Sequence, residues 1–203
     1  MTAEYVHIVD DDEAVREALA WLLSSVGLPA RAYGSGEEFL AADGATAIGA
    51  VLLDVRMDGM SGLEVFSSLR QAGSCVPVIF LTGHGDVPLA VGAIKSGAFD
   101  FLEKPFDDGE LLRIVERALA ADRQSRKSAE ATMLHVRQLQ SLSAREAQVM
   151  ELLLSAKSNK VIAAELGIAM RTVEVHRARI FEKMAVKSAV ELSVLLSSRK
   201  NHE

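Results

Sequence analysis

Three acidic side chains, a hydroxyl and a lysine each come directly or closely after a short apolar run of the chain. They are Asp10 and Asp11 after residues 6–9, Asp54 after 51–53, Thr82 after 78–81 and Lys104 after 101–102. Clustered carboxylates either raise a pKa or recruit a cation, and Mg²⁺ takes oxygen ligands while leaving positions for water and phosphate. A lysine ammonium can neutralise a phosphoryl oxygen. This set predicts a metal and phosphoryl site in which the Asp54 carboxylate acts as the nucleophile.

The apolar runs are short and partly β-branched, which is typical of buried parallel strands. Helical patterns separate them at residues 13–26, 35–42, 62–72, 87–96 and 110–120, and a further short strand covers 30–33. Five such pairs predict a doubly wound α/β domain with five parallel strands over residues 1–120. Because ligands bind at the carboxyl ends of parallel strands, we expect the five polar residues to meet at one sheet edge.

The second half of the chain has a different pattern. Neither Gly nor Pro occurs between Glu110 and Leu166, and residues 116–140 are rich in helix formers, so a helical linker is predicted over 121–140. A flexible polar linker is the alternative. Helical patterns at 144–154, 159–166, 171–184 and 188–198 predict an all-α four-helix domain over 141–203, with a helix-turn-helix at about 159–178.

Charge is divided unevenly along the 203 residues. Residues 1–122 hold 8 basic and 20 acidic side chains, while residues 123–203 hold 14 basic and 8 acidic ones, for a net charge of −6 overall. An acidic half suits a cation and a basic half suits a polyanion, of which DNA is the obvious candidate. The single cysteine, Cys75, excludes an internal disulfide. No apolar stretch approaches the ~20 residues of a membrane span, and no signal peptide is recognised, so a cytoplasmic location is expected.

Four short segments of the first half resemble the receiver domain of two-component response regulators, which has a flavodoxin-like fold. They are Val9-Asp10-Asp11-Asp12, Leu53-Asp54-Val55-Arg56-Met57, Leu81-Thr82-Gly83-His84-Gly85-Asp86 and Glu103-Lys104-Pro105-Phe106. The resemblance implies that Asp54 is the phosphoacceptor. It also implies a Mg²⁺ ion held by Asp11, Asp54 and the main-chain carbonyl of Arg56, with Asp10 acting through water.

The same resemblance implies further roles and one departure. Thr82 and Lys104 would contact the phosphoryl group, Phe101 would be an aromatic switch, and the Lys104–Pro105 bond would be cis. Asp58 stands where a proline is usual, which adds negative charge near the site. Taken alone, Asp12 is more simply a helix cap. Core packing explains Phe101 about as well as a switch role does, and His84 and Trp21 are interpreted as structural or surface residues.

Residues 142–198 resemble the LuxR-type DNA-binding domain, through Leu142–Glu146, Ser158–Lys160, Leu166–Ile168 and Arg171–Arg177. The whole chain is similar to the FixJ branch of the NarL/FixJ regulators. The helix from Arg171 is expected to enter the major groove of double-stranded DNA. Val175 would touch a thymine methyl and Glu174 a cytosine amine. Thr172, Ala178 and Arg179 share their face, and Asn159, Lys160, Arg171, Arg177 and Lys183 are predicted phosphate contacts.

Two departures from the family pattern affect the helix-turn-helix. Ala169 lacks the side-chain oxygen of a usual N-cap, at a cost of about 0.5–2 kcal/mol to the recognition helix. Lys157 replaces a common glycine and adds a cation.

The leading hypothesis is a transcription factor switched by phosphoryl transfer from a sensor histidine kinase to Asp54. Phosphorylation would change dimerisation, the arrangement of the domains, or both. Expected partners are promoter DNA, the kinase, a second copy of the chain and RNA polymerase, with no membrane. The chain would not be an enzyme for outside substrates, acting only on its own Asp54. Two alternatives are a Mg²⁺-dependent phosphatase with an aspartyl nucleophile, and a DNA-binding protein whose receiver no longer responds to phosphorylation.

Overall fold

The computed structural model of the chain describes residues 4–83 and 87–197, without the side chains of 87–90 and 197. The chain divides into two compact units, Met1–Lys127 and Ser128–Glu203. His84 and the following two residues of its motif lie outside the described part. Among the described residues, no helix is both long and apolar enough to cross a membrane.

The first unit is built on a parallel sheet of five strands in the order β2-β1-β3-β4-β5. The strands are β1 (Tyr5–Val9), β2 (Ala30–Tyr33), β3 (Gly49–Asp54), β4 (Val78–Thr82) and β5 (Asp100–Glu103). The helices between them are α1 (Glu13–Ser25), α2 (Gly36–Ala42), α3 (Gly62–Gln71) and α4 (Val87–Lys95), and a short 3₁₀ turn covers Gly44–Thr46. The predicted doubly wound α/β fold with five parallel strands is confirmed.

The strands extend beyond their apolar runs. Asp54 was expected to follow β3 and Thr82 to follow β4, but both are the last residues of their strands. The reason is backbone pairing, since Asp54 lies opposite Leu81 and Thr82 opposite Glu103 in the parallel register. Apolar residues of the strands fill two clusters, one on each face of the sheet. The site-bearing strands are therefore held rigidly from both sides.

Helix α5 runs from Asp108 to Gln140, a length of 33 residues. It begins two residues before the expected start at Glu110, where the Asp107 carboxylate accepts a hydrogen bond from the Glu110 N–H at 2.9 Å. The prediction of a helical linker is confirmed, because the helix continues through residues 121–140. The limit between the two compact units falls inside this helix, and the boundaries 1–120, 121–140 and 141–203 stay predictions.

A buried acid on α5 fastens this helix to the start of the sheet. Asp122 accepts a hydrogen bond from the Gly49 N–H at 3.2 Å and pairs with the Arg126 guanidinium at 2.7 Å. Arg126 and Arg123 also pair with Glu4, just before β1. Gly49 has a positive φ of 116°, and a Cβ there would overlap the Tyr5 carbonyl oxygen. The contact therefore depends on a glycine.

In the described part of the second unit, up to residue 197, four helices follow α5, which confirms the all-α prediction. They are α6 (Ala144–Leu154), α7 (Asn159–Leu166), α8 (Met170–Lys183) and α9 (Ala189–Ser197). Ser143 caps α6 in a capping box with Glu146, and Ser158 caps α7. Helix α8 begins at Met170 rather than Arg171, and its N-cap Ala169 makes no side-chain hydrogen bond. The predicted loss of a cap is thus confirmed.

Candidate functional site

The carboxyl edge of the sheet brings the three predicted carboxylates together. Asp10 follows β1 and Asp54 ends β3, the neighbouring strand. One oxygen from each of Asp10, Asp11 and Asp54 lies within 4.8 Å of the others. Asp10 is only 1% exposed, and Asp54 is also buried, whereas Asp11 faces solvent. An acidic pocket with one open side results.

Lys104 reaches into this pocket from the end of β5. Its Nζ lies 2.8 Å from Asp10 Oδ2 and 3.1 Å from Asp54 Oδ1, so one ammonium bridges two buried carboxylates. The Lys104 backbone N–H donates to the Thr82 carbonyl oxygen at 2.7 Å. The Lys104–Pro105 bond is cis, as the resemblance implied.

The electrostatics of the pocket have opposing causes. Burial raises the pKa of the Asp54 carboxyl, the positive charge and hydrogen bond of Lys104 lower it, and the charges of Asp10 and Asp11 raise it again. The outcome is a raised pKa for Asp54. Burial also acts against the charge of Lys104, but the hydrogen bond with Asp10 and the attraction of Asp54 outweigh it, so the pKa of Lys104 is raised. The pocket carries more negative than positive charge, which favours an added cation.

Thr82 and Phe101 occupy the adjacent strands β4 and β5. Thr82 is buried, and its hydroxyl donates to the Gly83 carbonyl oxygen at 3.0 Å. Phe101 is half-buried and packs against the apolar cluster that contains Phe80, its partner in the parallel register. Arg56, whose main-chain carbonyl is a predicted metal ligand, follows Asp54 by two residues. These placements are compatible with the predicted roles, which stay predictions.

The donor set of the pocket fits Mg²⁺. The three carboxylates supply hard oxygen ligands, and the exposed side of Asp11 leaves room for water and phosphate oxygens. No thiolate or imidazole belongs to the set among the described residues, so nothing in it favours zinc.

Three backbone contacts that support the pocket were not predicted from the sequence. The Arg16 guanidinium donates to the carbonyl oxygens of Asp10 at 2.8 Å and Asp11 at 2.9 Å. The backbone N–H of Asp58 donates to Asp11 Oδ2 at 2.9 Å. A Cβ at Gly62 would overlap the Asp54 carbonyl oxygen, so only glycine allows α3 to start so close to β3. The position of Gly62 directly after the helix cap Ser61 is the sequence feature that could have indicated this close approach.

The second unit presents α8 with one buried and one exposed face. Val173, Ile180 and Met184 are buried in the core, as their spacing predicted. Gly167, at φ +63°, makes the turn between α7 and α8. The exposed face carries the predicted base-contacting residues, and their exposure is compatible with the predicted role. They are Thr172, Glu174, Val175, Ala178 and Arg179.

The cations predicted to contact phosphate differ in what they already bind. Lys160 and Arg171 are exposed. The Arg177 guanidinium donates to the Asn159 side-chain oxygen at 2.7 Å, which ties α8 to α7. Lys183 pairs with the buried Glu146. The added Lys157 pairs with Glu165 at 2.7 Å.

Comparison with known proteins agrees with this geometry. Residues 6–116 match the family described as the response regulator receiver domain, and residues 140–196 match bacterial regulatory proteins of the luxR family. The chain is a response regulator with a LuxR-type DNA-binding domain. It is 46% identical over 187 residues to the transcriptional regulatory protein FixJ of Azorhizobium caulinodans, covering 92% of this chain and 89% of FixJ. The C4-dicarboxylate transport transcriptional regulatory protein DctR of Rhodobacter capsulatus is 48% identical over 190 residues, covering 93% and 96%.

Solved structures of response regulators have the same fold. The response regulator StyR superposes with a TM-score of 0.91 at 38% identity, covering 97% of this chain and all of StyR. Full-length FixJ from B. japonicum superposes with a TM-score of 0.60 at 42% identity, covering 96% of each chain. The suspected resemblance to the FixJ branch of these regulators is therefore confirmed.

An apolar cleft lies beside the acidic pocket of this response regulator. It has a volume of about 540 Å³ and is lined by Leu19, Leu22, Pro105 and Phe106, with Lys104 at its border. Trp21, also in its lining, is 74% exposed. The exposed indole and the apolar lining residues together form one continuous apolar surface beside the pocket.

Proposed function

We propose that this response regulator is a transcription factor whose DNA binding is switched by phosphorylation of Asp54. The observation that carries the proposal is the bridging of Asp54 and Asp10 by Lys104 at an edge that exposes Asp11. Two buried acids around one cation hold the nucleophile in place, while the open side admits the phosphodonor. Mg²⁺ held by Asp11, Asp54 and the Arg56 carbonyl, with Asp10 acting through water, would neutralise the charge of the phosphoryl oxygens.

The chemical step is a self-directed phosphoryl transfer. An Asp54 carboxylate oxygen forms a bond to phosphorus as the P–N bond to a histidine of the sensor kinase breaks, and the electron pair stays on the imidazole nitrogen. Asp54 Oδ1 faces Lys104, so Oδ2 is the oxygen available for attack. The Lys104 ammonium then pairs with a phosphoryl oxygen, and the Thr82 hydroxyl exchanges the Gly83 carbonyl for another phosphoryl oxygen. Hydrolysis of the acyl phosphate by water resets the switch.

The output is DNA binding by a dimer. Movement of Thr82 would leave space that Phe101 can enter, changing the face formed by β5 and its neighbours. The exposed face of α8 would then read the major groove, with Lys160 and Arg171 on phosphates. Recruitment of RNA polymerase at the bound promoter completes the proposed role.

Replacement of Asp54 by Asn tests the nucleophile, with Asp58→Asn as the matched control. Asn cannot form the acyl phosphate, so Asp54→Asn should incorporate no phosphoryl group from the kinase or from phosphoramidate. Its DNA affinity should stay at the unphosphorylated level. Asp58→Asn removes a nearby charge but no nucleophile, and at saturating Mg²⁺ it should incorporate one phosphoryl group as the wild type does. Phosphorylation is measured by intact mass and DNA affinity by fluorescence anisotropy; full labelling of Asp54→Asn would refute the assignment.

The DNA-binding protein with an unresponsive receiver is the second candidate function. It predicts no binding of Mg²⁺ in a calorimetric titration and equal DNA affinity with and without phosphodonor. The complete set of three carboxylates and one lysine in the pocket favours the phosphorylation-dependent function instead.

A further inference from the structure

Lys183, in the last turn of α8, joins the ends of three helices. Its Nζ lies 2.7 Å from Glu146 Oε2 and 2.8 Å from the Ser141 carbonyl oxygen. Ser141 directly follows α5, and Glu146 lies in the first turn of α6. One ammonium therefore connects the recognition helix, the end of the linker helix and the start of the domain's first helix. Its position near a helix C-terminus also suits a cation.

Glu146 is a buried carboxylate that depends on this cation. Its side chain is 4% exposed, compared with 35% for Lys183. Glu146 Oε2 also accepts a hydrogen bond from the Ser143 N–H at 2.8 Å, which closes the capping box of α6. The hydrogen bond from Lys183 is the largest cause that lowers the pKa of Glu146 to about 2. Breaking one partner of a buried pair leaves an uncompensated charge, so Lys183 is costly to withdraw.

We propose that Lys183 is a positioning residue of the DNA-binding domain rather than a phosphate contact. It holds the C-terminal end of α8 against the start of α6 and the end of α5, and thereby sets the angle at which the exposed face of α8 meets DNA. The inference rests on the proposed DNA-binding function of α8. Lys160, by contrast, is exposed and has no ion-pair partner among the described residues, so it is free to meet a phosphate.

Salt dependence of DNA binding separates the two roles. The phosphorylated full chain is titrated with a DNA site selected by the wild type, at several salt concentrations. The logarithm of the DNA-binding constant falls linearly with the logarithm of the salt concentration. Loss of one phosphate contact makes this negative slope shallower by about 0.9. Lys160→Met is expected to do so. Lys183→Met is expected to weaken binding about tenfold with the wild-type slope, and Glu146→Gln to weaken it similarly. A slope reduced by about 0.9 in Lys183→Met, or full affinity in Glu146→Gln, would overturn the proposal.

Two further variants distinguish a loss of positioning from a general loss of folding. Lys183→Arg keeps a cation for Glu146 and is expected to recover most of the affinity. The double variant Glu146→Gln/Lys183→Met removes both partners and should bind more tightly than the sum of the single losses predicts; additive losses would count against positioning.

A readout without DNA distinguishes failure of this inference from failure of the proposed function. Amide hydrogen exchange in the first turn of α6 and the last turn of α8 should accelerate together in Lys183→Met and stay unchanged in Lys160→Met. Unchanged exchange in Lys183→Met would refute the proposal that Lys183 holds the end of α8 against the start of α6, whether or not the wild type binds DNA.

Discussion

At the scale of single residues, the backbone N–H of Asp58 matters to the pocket as much as its charge. It donates to Asp11 Oδ2 at 2.9 Å, and it orients a predicted metal ligand from 47 residues away. Hydrogen bonds to ligating carboxylates fix their direction and raise metal affinity. A proline at this position, usual in receivers, would have no N–H to donate. The substitution to aspartate therefore adds a hydrogen bond as well as a negative charge.

Two substitutions at position 58 separate these effects. Asp58→Pro removes the donor and the charge, and is expected to weaken Mg²⁺ binding about two- to tenfold, the size of one lost hydrogen bond. Asp58→Asn removes the charge alone and should weaken it less, because the N–H to Asp11 remains. Calorimetric titration with Mg²⁺ measures both. Equal affinities for the two variants would mean that the amide contributes nothing.

Gly62 is a second position where a close backbone contact, here with the Asp54 carbonyl oxygen, excludes any side chain. Gly62→Ala would push Cβ into the Asp54 carbonyl oxygen, and destabilisation of about 1–3 kcal/mol is expected, together with slower phosphorylation as Asp54 shifts. Gly92→Ala in α4 is the matched control, because a Cβ there meets nothing within 4 Å. It should stabilise the protein by about 0.5–1 kcal/mol through helix propensity. Urea unfolding measures both, and a stable Gly62→Ala would contradict the close approach.

At the scale of elements, periodicity was enough to predict the strands and helices, since apolar runs and helical faces are local signals. The same signals placed Asp10, Asp54 and Lys104 at one edge. The hydrogen bond between Asp11 and Asp58 and the ion pair between Lys183 and Glu146 were not predictable, because they join residues 47 and 37 positions apart. Such contacts depend on how folded elements approach one another. The positive charge of Lys183 therefore predicted a phosphate contact, and its ion pair with Glu146 was not foreseen.

Helix α1 contributes Trp21 to the apolar cleft beside Lys104, and we expect the phosphodonor domain of the kinase to bind there. A large exposed aromatic is the residue type that carries binding energy in interfaces. Trp21→Ala should slow phosphoryl transfer from the kinase about tenfold or more, with little change in phosphorylation by phosphoramidate, which needs no docking. Single-turnover transfer rates measure both. Equal slowing with both donors would place the defect in the pocket instead.

At the scale of the whole molecule, one chain joins an acidic receiver to a basic DNA-binding domain. The negative net charge of the first suits a cation, and the positive net charge of the second suits DNA. The net negative charge of residues 1–122 disfavours contact between the receiver and the phosphates of DNA. In the proposed dimer, a second copy of the basic domain would add affinity for DNA. Phosphorylation that promotes dimerisation would supply that copy, and the Asp54→Asn variant should remain monomeric in sedimentation experiments.

The spacing of two DNA half-sites provides the strictest test of the dimer. Two copies of α8 related by a two-fold axis reach half-sites on one face of the duplex, about one helical turn or a multiple of it apart. Inserting five base pairs between the half-sites turns the second by about half a turn. Binding of the phosphorylated chain should then fall to the affinity for a single half-site. The same five base pairs placed outside the site should have no effect. Anisotropy titrations compare the two DNAs, and equal affinity for both would mean that one copy binds each half-site independently.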